Sequence, residues 1–72
     1  MNLVGPQVRH LREAQNMTQE ELTARCNLVG LNISRSTLAK IESRVRRVTD
    51  QEAALLAKAL KISVDVLYRH KN

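Results

Sequence analysis

Side chains able to do covalent or metal chemistry are few in this chain and far apart. Cys26 is the only cysteine, and the two histidines, His10 and His70, stand at no spacing from it that makes a zinc site. Glu20 and Glu21 are adjacent acids, but capping explains Glu21 and the helix dipole explains Glu20. There is no glycine-rich phosphate loop and no nucleophile elbow. The sequence therefore reads as a non-enzyme, with no catalytic residue, metal or cofactor. What is concentrated is positive charge. Between Ser34 and Val48 lie Arg35, Lys40, Arg44, Arg46 and Arg47 against the single acid Glu42, +4 of the chain's net +5. Ahead of them, Ser34-Arg35-Ser36-Thr37 supplies short polar side chains at what reads as a helix start, where free amides favour an anion. A solvated basic face is the bland alternative. The crowding of bases onto one helix and its exit loop instead favours a polyanionic partner, nucleic acid being the commonest. Tyr68 is the only aromatic residue, which argues against modules that stack single-stranded bases.

The elements that must position these residues are legible from their starts. Thr18 followed by Glu21 is a capping box, with Met17 and Leu22 as its hydrophobic staple. Thr49 and Glu52 repeat it. Ser34 and Ser63 cap two further starts, and Pro6 after Gly5 suits the first turn of an opening helix. Apolar spacing then predicts helix 1 over about 6–15 (Val4, Val8 and Leu11 inward) and helix 2 over about 19–29 (Leu22, Cys26), ended by Gly30. Helix 3 follows over about 35–43 (Leu38, Ile41), helix 4 over about 50–60, and a short helix 5 over about 64–69. Cys26 is expected to pack in the core, and residues 70–72 to fray.

Length and composition fit an all-α bundle. With 72 residues, two glycines and one proline, the chain reads as a single domain spanning 1–72. No apolar run approaches the ~20 residues that cross a bilayer, and residues 1–30 do not read as a signal peptide. The lone cysteine fits a reducing compartment, so a cytoplasmic protein is expected.

Four stretches together carry a resemblance: 8–12 (VRHLR), 17–22 (MTQEEL), 34–42 (SRSTLAKIE) and 56–60 (LAKAL). From Val8 to Tyr68 the chain resembles the helix-turn-helix family of the lambdoid phage repressors and Cro proteins, the XRE type. That resemblance implies a five-helix bundle whose third helix enters the DNA major groove. It also implies a cytoplasmic transcriptional regulator of bacterial or phage origin, most simply a repressor, binding double-stranded DNA as a homodimer. By position, it implies that Arg35, Ser36 and Lys40 face base edges, with Arg35 suited to a bidentate grip on guanine. Gln19, Thr37, Arg44, Arg46 and Arg47 match phosphate-contacting positions, and Arg12 and Glu42 match a buried salt bridge between helices 1 and 3.

The chain departs from the family pattern in three places. The turn between helices 2 and 3 is longer by about five residues around 27–32, which is expected to extend helix 2 by a turn and loosen the connection. Thr23 stands where the family favours alanine, and Ser43-Arg44 replaces a frequent polar-Gly step. The competing function is a protein-interaction adaptor or antitoxin-type partner on the same fold. Its docking patch would come from Leu28, Val29 and Leu31, or from Val64, Val66 and Tyr68 at the C-terminal helix.

Overall fold

A computed structural model describes residues 4–68, and among these the chain is helical with no strand. Five helices follow in order: α1 Val4–Ala14, α2 Gln19–Leu28, α3 Arg35–Glu42, α4 Asp50–Leu60 and α5 Val64–Tyr68. The expected tail, including His70, and the last position of helix 5 lie outside the described residues. α1 packs on α3, α4 and α5, while α2 packs on α3 and α4. Val8, Leu22, Leu38, Leu56, Leu60 and Leu67 are completely buried at the centre. Cys26 joins them, and burial pushes its thiol up to about 11.

The helices start where the side chains dictate. The Thr18 and Thr49 hydroxyls each accept the amide three residues on at 3.1 Å, and Glu21 and Glu52 reach back to the cap amides at 2.8 and 3.0 Å. Ser34 caps α3 in the same way, through the Thr37 amide at 3.1 Å. Ser63 does not. Its carbonyl, not its hydroxyl, receives the Val66 amide, and α5 is a five-residue helix without a side-chain cap. α1 begins at Val4, earlier than the proline suggested, because a residue in the first turn needs no amide hydrogen bond. Gly5 in that turn lies against the end of α3 so closely that a Cβ there would overlap the Ile41 carbonyl oxygen.

The helix stops share one geometry. Asn16, Gly30, Arg44 and Lys61 all take a left-handed conformation, with φ of 58°, 98°, 71° and 59°. The residue after each returns its amide to a carbonyl five positions back: Met17 to Arg12 (3.1 Å), Leu31 to Cys26 (2.8 Å), Val45 to Lys40 (2.9 Å) and Ile62 to Ala57 (3.0 Å). This is the Schellman closure, in which an apolar residue after the left-handed position folds back onto the helix. Met17 and Leu31 are buried and Ile62 is half-buried, whereas Val45 is 74% exposed.

The α2–α3 connection, expected to be loose, is pinned. α2 ends at Leu28, one residue short of the expected bound, and Gly30 and Leu31 close it. Asn27 Nδ2 then donates both to the Thr23 carbonyl (2.8 Å) and across the turn to the Ile33 carbonyl (3.2 Å). Burial of Leu31 fixes the segment from beneath. Leu31 is thus an apolar anchor within the turn, and the position of α3 relative to α2 is held at both ends of it.

Candidate nucleic-acid interface

α3 presents two unlike faces. Leu38 and Ile41 are fully buried, so Arg35, Ser36 and Lys40 are left exposed on the other side, as the spacing requires. Thr37 is half-buried. Its amide goes to the Ser34 cap, and its hydroxyl oxygen accepts from Ser34 Oγ at 3.1 Å.

Arg35 does not wave in solvent. Its Nη1 donates to Gln19 Oε1 at 3.0 Å, and Gln19 Nε2 donates to Glu42 Oε1, also at 3.0 Å. Glu42 in turn holds Arg12 by two bonds, Nε to Oε2 at 2.8 Å and Nη2 to Oε1 at 3.1 Å. Arg12 Nη1 finishes on the Met17 carbonyl at 2.7 Å. Four side chains from α1, α2 and α3 therefore form one continuous hydrogen-bonded chain from the core to the surface. Arg12 and Glu42 are buried, and this carboxylate bond is the main reason that the guanidinium is held above its ordinary value. Only one orientation of the Gln19 amide serves both neighbours, since Glu42 offers acceptors and Arg35 only donors. One Gln19 N–H remains beyond the Glu42 bond. Arg12, Thr18, Gln19, Glu20 and Arg35 line an open cleft of about 460 Å³ between the starts of α2 and α3.

The loop from Ser43 to Thr49 distributes its arginines unequally. Arg44 and Arg47 are exposed. Arg46 is half-buried and folded onto the first turn of α4, with Nη2 and Nη1 at 2.7 and 3.2 Å from the two oxygens of Glu52. The hydrogen bond from Arg46 is the largest reason that the Glu52 carboxyl lies below its usual range. Arg46, expected at a phosphate, thus stands in an ion pair within the protein. Glu52 Oε1 receives both the Thr49 amide and Arg46 Nη1, and Oε2 takes Arg46 Nη2, so one carboxylate serves the capping box and a bidentate ion pair together. The box was legible in the sequence, but not its second use. Gln19 as the joint between Arg35 and Glu42 was also missed, because nothing local marks a bond between residues on different helices.

Apolar docking surfaces are thinner than the sequence suggested. Leu31 is buried and Val29 half-buried, so Leu28, at 86% exposure, stands alone in the 28–31 segment. In α5 Val66 is half-buried, and Val64 and Tyr68 are partly exposed. The Tyr68 hydroxyl donates to Asp50 at 3.2 Å. Among the described residues no group of three or more His, Cys, Asp or Glu could hold a metal ion, and no helix is long and apolar enough to cross a membrane.

Two capped helices joined by a pinned turn, the second with its polar face outward over a buried ion pair, define a helix-turn-helix module. A helix-turn-helix family model matches residues 8–67. The chain belongs to that family, of the XRE or lambda-repressor type, whose members are DNA-binding transcription regulators. Comparison with curated proteins and with solved structures gives no match.

Proposed function

We propose that this protein is a sequence-specific repressor that lays α3 in the major groove of double-stranded DNA, in the cytoplasm of a bacterium or in a phage-infected cell. The observation that carries the reading is the exposed face of α3, where Arg35 is held by Gln19 beside a cleft at two helix starts. A pre-oriented guanidinium loses less freedom on binding and suits the bidentate geometry of a guanine edge. Ser36 and Lys40 complete the base-facing set. Gln19, Thr37, Arg44 and Arg47 take phosphates, Gln19 through its remaining N–H. Occupying an operator is sufficient to block transcription. One such module makes too few base contacts to discriminate within a genome, so two copies bind half-sites about 34 Å apart. Val64 and Tyr68 on α5 are the surface offered for that homodimer.

The test is selection of bound duplexes from a random library at stated salt, followed by Arg35→Ala on the recovered site. The expected result is a two-fold symmetric motif and a loss of ~1–3 kcal/mol confined to one base pair per half-site. Equal losses on the selected site and on random DNA would reassign Arg35 to a phosphate. Failure to enrich any motif would remove the sequence-specific reading.

A further inference from the structure

Four helices end in the same closure, and the residue that follows the left-handed position is apolar each time: Met17, Leu31, Val45 and Ile62. In three of them that side chain has somewhere to go. Val45 does not, and at 74% exposure it is the apolar side chain of the basic loop that the fold leaves uncovered. Its neighbours differ sharply. Arg46 turns inward onto Glu52 and Val48 is half-buried, while Arg44 and Arg47 stay exposed. An uncovered valine is therefore flanked by two solvent-facing guanidiniums on the exit loop of α3.

Docking geometry says what such a residue meets. The eight residues of α3 span about 12 Å at ~1.5 Å per residue, close to the ~12 Å width of the major groove. When the start of such a helix contacts base edges, its far end arrives at the groove wall. That wall alternates phosphates, which attract Arg44 and Arg47, with deoxyribose rings whose faces are apolar. We infer that Val45 packs on a deoxyribose of the DNA backbone between the phosphates held by Arg44 and Arg47, a contact that adds affinity without reading sequence. The inference rests on the DNA-binding reading above. It explains the exposed valine by charge complementarity, since the flanking arginines bring a polyanion to it and sugar is the apolar surface that a polyanion offers there.

Val45→Ala tests it, measured beside wild type and Arg47→Ala on the selected site and on a mixed-sequence duplex across a salt series. Val45→Ala should weaken both duplexes alike, by about fivefold for the apolar area lost. The log–log salt slope and the melting temperature should not move, because no charge and no buried contact is removed. Arg47→Ala should instead make the slope shallower by ~0.9. Unchanged affinity for Val45→Ala, with Arg47→Ala weakened, overturns the contact and leaves DNA binding standing. A loss confined to thymine-containing sites and abolished by uracil substitution assigns Val45 to a base methyl and overturns the sugar assignment. An altered slope overturns it too, since the arginines would then have shifted. Absence of duplex binding by the wild type fails the DNA reading itself.

Discussion

Removing Glu42 is the most severe single change available outside the apolar core. Its carboxylate takes two hydrogen bonds from Arg12 and one from Gln19, and the Arg12 side chain is 10% exposed against 3% for Glu42. In Glu42→Ala the guanidinium keeps the Met17 carbonyl and a 3.9 Å approach to the exposed Glu13, neither of which replaces a buried bidentate partner. Loss of one member of a buried pair costs ~3–5 kcal/mol. For 72 residues, at ~0.05–0.15 kcal/mol each, total stability is roughly 4–11 kcal/mol. The variant should therefore unfold near room temperature or begin the urea transition already partly unfolded. Far-UV circular dichroism is the suitable probe, since Tyr68 is the only aromatic reporter. Replacing the pair together, Arg12→Met with Glu42→Leu, should restore stability to within about 1 kcal/mol of wild type, because a packed apolar pair carries no desolvation cost. A melting temperature unchanged in Glu42→Ala, or a double variant as unstable as the single one, would refute the argument.

Three further outcomes follow from particular residues. Gly5→Ala, favourable in most helices, should here cost ~1–3 kcal/mol as α1 is pushed off the Ile41 carbonyl; a rise in melting temperature would contradict the close approach. Arg44→Gly relieves ~1–2 kcal/mol of left-handed strain against ~0.5–1 kcal/mol of added chain entropy, so the urea midpoint should rise slightly while duplex binding weakens with a shallower salt slope. Glu52 is held below its ordinary 4.5 mainly by Arg46, so the stability it contributes is fully present above pH 4.5 and is lost as pH falls below it. The partly exposed pair limits this to under ~1 kcal/mol, and Arg46→Met should flatten that part of the pH profile; an unchanged profile would show the pair to be idle.

Much of this was legible because it is local. Capping boxes at Thr18 and Thr49 and the Ser34 cap set three helix starts by bonds that span three residues, and the bounds of α4 follow without error. The buried partnership of Arg12 and Glu42 was reached through family resemblance, since residues thirty positions apart carry no local mark of contact. The left-handed residue at three of the four helix stops is not marked in the sequence, for a different reason. Glycine advertises a left-handed position, and Asn16, Arg44 and Lys61 occupy the same conformation without it. The exposed face of α3 follows from phase, because burial of Leu38 and Ile41 leaves Arg35 and Lys40 on the other side. Which arginines are already engaged does not. The Arg46–Glu52 pair depends on how the loop before α4 turns, with Arg44 in a left-handed conformation two residues ahead of it.

The recurrent helix closures also bear on how quickly the protein becomes usable. Capping bonds at the starts of α2, α3 and α4, and the closures that end α1 to α4, link residues no more than five positions apart, so most local order forms without a long search for distant partners. Small helical bundles fold in microseconds to milliseconds. Translation at ~5–20 residues per second needs roughly 4–14 s for 72 residues. Folding of these residues is thus faster than their synthesis by at least three orders of magnitude, so the ribosome, not the search for the fold, sets the pace.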